Sequence, residues 1–330
     1  MVGQPVLSDA AGFNAVAVQQ AQDTLKTLIN SHTAKAFSQI AVATTLRQAS
    51  QNLLLNSGTG RIRPNTLAVS LDQCHVDGGV DGAQVLSELL RDALDMKKNL
   101  VVLGNAKAEK QAGWLKQTST AATEIESTGW FHNSHLQQQE TSQDGLTVDV
   151  WIFGQVAAPD DHPAGGATVT EDDLLMSILL QLSYLDAASR SSSYSCSSTS
   201  GCCVRLLQMV PKSSVDADES KETLRRWLHH SRIPGSSCEV VEAPAQLSGV
   251  RAGDWGWVSD MECVRAVQQT IKQHSSQAVA VHMSLPPPNV EVLGLGAEDY
   301  LSRLHGLVDD LPPCFLVHNG ERQALITTAI

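Results

Sequence analysis

A loop rich in glycine and arginine is the part of this sequence closest in composition to a phosphate site. Residues 57–71 read SGTGRIRPNTLAVSL. Backbone N–H groups of such a loop can bind phosphate where the loop opens a helix, and Gly58, Gly60 and Arg61 would then be the contact residues. Here both glycines follow a segment of helical spacing and precede a strand-like one, without the Lys-Ser/Thr pair of a P-loop or GxGxxG spacing. We therefore interpret the loop as a helix cap and a sharp turn.

The other reactive side chains do not form a catalytic or metal-binding pattern. None of the 11 histidines lies in an HExxH motif, and His229 and His230 are neighbours that point to different faces of a helix. The strained elbow GxSxG is missing, and Cys263 and Cys314 fall in apolar segments where a thiol commonly serves as a small buried hydrophobe. We predict that the chain is not an enzyme and holds no cofactor or metal.

Composition restricts the partners and the compartment. The net charge is -12, and no basic cluster exceeds the pair Arg225 and Arg226, which argues against nucleic acid. The seven cysteines include no CxxC pair, so reduced thiols are expected. The apolar segment 174–185 contains serine and glutamine and is shorter than the ~20 residues of a membrane span. With no signal-peptide pattern at the start, the sequence predicts a soluble, intracellular chain.

Apolar runs alternate with segments of helical period along most of the chain. This alternation predicts an α/β fold, with a mainly parallel sheet and helices on both faces. The sequence Asn319-Gly320, set between two apolar runs, predicts an antiparallel hairpin at the C-terminus. The predicted strands are 37–43, 66–71, 99–103, 148–153, 204–210, 238–242, 278–284 and 314–318, with 324–327 as the second arm of the hairpin. The predicted helices are 16–29, 46–55, 83–96, 171–185, 221–230, 261–274 and 298–308.

Two polar stretches interrupt this alternation. Residues 105–145 have little periodicity and are predicted to be a flexible linker between a first α/β half, 1–104, and a second half, 146–330. Residues 188–201 are rich in serine, which occupies eight of the 14 positions. A flexible spacer is the simpler interpretation of that loop, and phosphorylation of Ser191, Ser192 and Ser193 is the alternative.

The order of several short motifs resembles the cytosolic C-terminal domain of the cation-chloride cotransporters. In that family a helix carrying an arginine, here Arg47, ends in a glycine-rich turn that leads through a basic residue and Asn-Thr into a strand. Later motifs are an Asp-Val-Trp strand, a Cys-x-Arg strand, a helix ending in His-Ser-Ser, a Leu-Pro-Pro turn and a Glu-Asp-Tyr helix. They correspond here to residues 148–152, 203–205, 274–276, 285–287 and 298–301.

The resemblance implies tandem halves similar to universal stress proteins, a homodimer, and a place below a transmembrane domain on the cytosolic side of the membrane. It also implies a non-catalytic role in regulating ion transport, through that domain and through kinases and phosphatases. The proline turn and the Glu-Asp-Tyr helix are similar to the potassium-chloride and plant-type branches. Relative to the family, we expect the first half to be truncated at its N-terminus and the chain to be a fragment, the product of a truncated gene model or a free-standing relative.

Two further expectations accompany the resemblance. Arg61, Arg63 and Asn65 are interpreted as a docking surface on an exposed loop. The alternative function is a nucleotide-sensing module, because stress-protein-like sheets can bind ATP at the ends of their strands.

Overall fold

The computed structural model describes residues 2–7, 15–31, 37–58, 65–71, 80–105, 147–153, 203–210, 217–230, 237–247, 255–288 and 295–318. The strands are β1 Val2–Leu7, β2 Ser38–Ala43, β3 Thr66–Ser70, β4 Asn99–Gly104, β5 Thr147–Phe153, β6 Cys203–Val210, β7 Ser237–Glu242, β8 Ala280–Ser284 and β9 Cys314–His318. The helices are α1 Ala15–Ser31, α2 Leu46–Asn56, α3 Val80–Asp95, α4 Ala217–His230, α5 Met261–Ser275 and α6 Ala297–Val308. Two short 3₁₀ helices, Ala245–Leu247 and Trp255–Ser259, lie between β7 and α5.

Seven strands form one mixed sheet in the order β3-β4-β9-β8-β5-β6-β7. The pair β3 and β4 is parallel, and the five strands from β9 to β7 are parallel to one another. Among the described strands the single antiparallel contact joins β4 to β9, so the sheet they form consists of two parallel groups that run in opposite directions. The prediction of a mainly parallel α/β sheet is confirmed.

The larger parallel group is doubly wound. Its order β7-β6-β5-β8-β9 means that the chain builds outward from β5 in one direction and then returns to build in the other. In doubly wound sheets, right-handed crossovers place the connecting helices on opposite faces. On one face, α3, α5 and α6 cover a continuous core whose largest members include Trp151 and Tyr300.

An antiparallel strand near the C-terminus is confirmed, since β9 pairs antiparallel with β4 and parallel with β8. The second arm of the predicted hairpin, 324–327, lies outside the described residues, as does the predicted helix 171–185. The antiparallel contact joins β4, which belongs to the predicted first half, to β9, which belongs to the predicted second half. The division into tandem halves stays a prediction.

A smaller sheet near the N-terminus consists of β1 and β2, which pair in parallel. Strand β1 was not predicted, because Gln4 and Pro5 interrupt its apolar pattern and proline cannot donate to a ladder. Helix α2 follows β2 and packs against both strands of this sheet and against α3. Among the described helices, none combines the length and the apolar character needed to cross a bilayer.

Candidate functional site

The polar side chains of β5 and β6 meet in a buried ion pair. Asp149 is opposite Arg205 in the parallel register, and its side chain is completely buried. The Nε and Nη2 atoms of Arg205 donate to the two carboxylate oxygens of Asp149 at 2.9 and 2.7 Å. This two-pronged contact satisfies both oxygens of a carboxylate that is shielded from water.

The last turn of helix α5 contacts this ion pair. The backbone oxygen of His274 accepts from Arg205 Nη2 at 2.6 Å, and the imidazole Nδ1 lies 3.3 Å from a carboxylate oxygen of Glu239 on β7. The next residue, Ser275, accepts a buried hydrogen bond from the Trp151 indole at 2.9 Å. We call Asp149, Trp151, Arg205, Glu239, His274 and Ser275 the arginine network.

The arginine network brings together three of the motifs that carried the family resemblance. Asp149 and Trp151 belong to the Asp-Val-Trp strand, Arg205 to the Cys-x-Arg strand, and His274 to the end of the His-Ser-Ser helix. Glu239 was not predicted, since a single acidic residue in a strand at the edge of a sheet carries no distinctive signal. The charges of Asp149 and Arg205 are engaged with each other, and the network links three strands and a helix.

A second charged cluster joins α2 to α3 and contains the arginine of the helix motif. Arg47 donates from Nε and Nη2 to both oxygens of Asp92, at 2.9 and 2.8 Å, and from Nη1 to Glu88 at 2.8 Å. Gln51 adds a 2.8 Å bond to Asp92. The hydrogen bonds from Arg47 hold the pKa of the Asp92 carboxyl below its ordinary value. We call Arg47, Gln51, Glu88 and Asp92 the Arg47 bridge.

The Leu-Pro-Pro turn and the Glu-Asp-Tyr helix also meet in the structure. The hydroxyl of Tyr300 is buried and donates to the backbone oxygen of Pro286 at 2.8 Å. Burial raises the pKa of Tyr300. Leu285 and Pro286 are buried as well, so this turn is a stiff internal connection held by α6.

Aromatic rings pack at the carboxyl end of β5. Phe153 lies 5.8 Å from Trp255 and 5.7 Å from Trp257, measured between ring centroids. The two indoles are 5.8 Å apart, and Trp257 is buried in the main core. Doubly wound folds bind ligands at this end of the sheet, and here three rings of the protein pack together beside β5.

The predicted loop residues are only partly described. Gly58 follows α2 with a φ of 139°, which confirms that a glycine is needed where this helix ends. Asn65 is half-buried; its side-chain oxygen accepts from Thr66 at 3.0 Å and its backbone oxygen from Asn99 at 2.8 Å. Gly60, Arg61, Arg63 and the serines Ser191, Ser192 and Ser193 lie outside the described residues. The docking and regulatory roles of these positions stay predictions.

Three other groups are buried without forming a reaction centre. Burial lowers the pKa of His282 to about 3 and raises the pKa of the Cys314 thiol. The pKa of Cys263 is also raised, by burial and by the nearby carboxylate of Asp260. Within the described ranges, no three histidine, cysteine or acidic residues cluster closely enough to hold a metal ion.

Comparison with models of protein families finds that Solute carrier family 12 matches residues 12–192, more than half of the 330 residues. Among curated proteins, Solute carrier family 12 member 2 of Danio rerio is 36% identical over 76 residues, which is 23% of this chain and 7% of that protein. Among solved structures, the crystal structure of the cytoplasmic domain of a prokaryotic cation chloride cotransporter is similar with a TM-score of 0.48. That match has 12% identity and covers 97% of this chain and 85% of the other.

Proposed function

The chain belongs to solute carrier family 12, and we propose that it is the cytosolic C-terminal domain of a cation-chloride cotransporter, with a regulatory and dimerising role. The observation that carries the proposal is the family match over residues 12–192. This range contains the Arg47 bridge and the Asp149 and Trp151 positions of the arginine network. The role is non-catalytic, and ion movement belongs to the transmembrane domain of the full-length protein.

The geometry supports a scaffold that presents surfaces to other proteins. In both charged networks an arginine of the same fold binds the buried or half-buried carboxylates. The arginine network does so across strands, and the Arg47 bridge does so between helices. Such contacts fix the relative positions of elements and leave recognition to the surface and the loops. Arg61, Arg63 and Asn65 are our candidates for docking, and Ser191, Ser192 and Ser193 for modification by kinases and reversal by phosphatases.

We place the domain at the cytosolic face of a membrane as part of the full-length protein, and as a homodimer. A potassium-chloride or plant-type parent is favoured by the Leu-Pro-Pro turn, which the structure ties to the Glu-Asp-Tyr helix through Tyr300.

Domain exchange tests the transport role. The chain replaces the C-terminal domain of a potassium-chloride cotransporter, and chloride-dependent rubidium uptake is measured in cells together with the amount of transporter at the surface. We expect uptake above that of a transporter lacking the domain. A chimera that reaches the surface and transports no better than the truncated protein contradicts the proposal.

Sedimentation of the isolated chain tests the proposed homodimer. A single monomeric species at micromolar concentration contradicts that part of the proposal.

A nucleotide-sensing module is the second candidate function, and the strand order favours it. In β7-β6-β5-β8-β9 the order in which the chain adds strands reverses between the parallel neighbours β5 and β8, and such a switch point is where open α/β sheets form a ligand crevice. A nucleotide that binds only the folded state raises the unfolding temperature by mass action. A thermal-shift titration with ATP that stays flat to millimolar concentration rejects this function.

A further inference from the structure

The elements β1, α1, β2 and α2 form a separate body, which we call the N-terminal unit. Within the described residues, its two-stranded sheet shares no ladder with the seven-stranded sheet. Helices α1 and α2 both pack on this small sheet. Backbone hydrogen bonds therefore hold the unit together internally, and side chains hold it to the rest of the molecule.

The apolar interior is divided in the same way. Outside β1, Ala21, Leu25, Ala41 and Ala49 are the buried apolar side chains of the N-terminal unit among those whose burial the structure describes, and none belongs to the main core. Leu54 of α2 packs on the edge of that core while remaining partly exposed. Hydrophobic burial is the main force that makes two segments fold as one, and among these described side chains little of it crosses the boundary.

The most extensive packing between the two bodies is that of α2 on α3, and the Arg47 bridge lies within it. Arg47 reaches two carboxylates on successive turns of α3, Glu88 and Asp92, and Gln51 reaches Asp92 from the next turn of α2. Asp92 keeps 11% of its side-chain surface exposed, against 40% for Arg47. A two-pronged contact to a largely buried carboxylate has a defined geometry and is lost when the helices separate.

We propose that the contact of α2 with α3 is a joint, and that the Arg47 bridge is the latch that holds the N-terminal unit against the seven-stranded sheet. With the bridge intact the two bodies move together. When it opens, the N-terminal unit detaches or unfolds locally while the seven-stranded sheet keeps its structure. Since the latch is polar and half-exposed, a partner that competes for Arg47 or for the two carboxylates can release it.

Hydrogen exchange measured by mass spectrometry on the whole chain tests the joint. In Arg47→Gln we expect amides of α1, β2 and α2 to exchange about five- to tenfold faster, with β5, β6 and β8 unchanged, because losing bonds to charged groups favours local opening. Asp92→Asn should act in the same direction. The double variant should be close to the single ones, since both remove the same contact. Equal acceleration in all strands, or no acceleration in the N-terminal unit, overturns the proposal.

The matched control is Arg225→Gln, which removes an exposed ion pair with Glu222 inside α4 and should leave hydrogen exchange in the N-terminal unit unchanged.

The unaltered chain gives a second test that needs no variant. In increasing urea below the main transition, amides of the N-terminal unit should lose protection before those of β5 and β6. Loss of protection in both bodies at the same urea concentration also overturns the proposal of a joint.

Discussion

At the level of single residues, Arg205 is the side chain on which the arginine network depends. Its guanidinium is the partner of both oxygens of Asp149, a carboxylate with no exposed surface. Removing it leaves an uncompensated charge in the interior. For Arg205→Gln we therefore expect the free energy of unfolding to fall by about 3–5 kcal/mol, measured by urea denaturation.

The double variant Arg205→Gln with Asp149→Asn separates this cause from a general loss of packing. It removes the stranded charge, so it should be more stable than Arg205→Gln alone. Equal stability of the single and double variants would show that the buried charge is not the reason for the loss.

The stability of the fold is expected to depend on pH through His282. The ring is fully buried and stacks on Phe315 with centroids 4.5 Å apart, and burial lowers its pKa from 6.5 to about 3. Between these values the unfolded chain carries a proton on the imidazole that the folded chain does not. Stability is therefore expected to fall as the pH drops from 6.5 toward 3, by up to ~1.4 kcal/mol per pH unit. Urea unfolding at several pH values measures this slope, and His282→Phe should reduce it; an unchanged slope would contradict the assignment.

At the level of elements, Gly104 lets β4 approach α6 closely. A Cβ atom added to Gly104 would lie 2.8 and 3.0 Å from the two methyl groups of Val308. Gly104→Ala is therefore expected to cost roughly 1–3 kcal/mol of unfolding free energy, because the helix must shift or Val308 must leave its preferred position. In a Val308→Ala background the same substitution should cost much less. Denaturation of the four proteins of this cycle measures the difference, and strictly additive effects would rule out the clash.

Most elements could be predicted because their apolar periodicity is strong. Helix α5 was predicted as 261–274 and is Met261–Ser275, and helix α2 was predicted as 46–55 and is Leu46–Asn56. Each has a polar cap, Asp260 and Thr45, that accepts a hydrogen bond from the first turn. Strand β1 was missed because pairing with β2 outweighs the poor strand propensity of Gln4 and Pro5. Local propensity could not anticipate a partner that is more than thirty residues away.

For the charged networks, the sequence predicted single residues in their motifs but not the contacts between them. Asp149 and Arg205 were recognised in their motifs, yet their contact depends on the register of β5 against β6, which is set by tertiary packing. Glu88, Asp92 and Glu239 are among 35 acidic residues, and nothing in their local sequence distinguishes them from solvated ones. The Arg47 bridge likewise depends on how α2 lies on α3.

At the level of the whole molecule, the last described strand occupies an inner position of the large sheet. Strand β9 bonds to β4 on one side and to β8 on the other, so it alone connects the two parallel groups through backbone hydrogen bonds within the described strands. Its side chains Cys314, Leu316 and Val317 are buried. A strand in this position contributes to both groups, and neither can complete its sheet without it.

A chain that ends at Pro313 is therefore expected to lose cooperative unfolding, while a chain that ends at His318 keeps all the described pairings of β9 and should retain it. Exposing β4 and β8 leaves two unpaired apolar edges, which favour aggregation over a smaller folded domain. Circular dichroism during urea unfolding, together with light scattering, compares the two chains. If the shorter chain shows the same sharp transition as the longer one, β9 is not needed for the two parallel groups to unfold together.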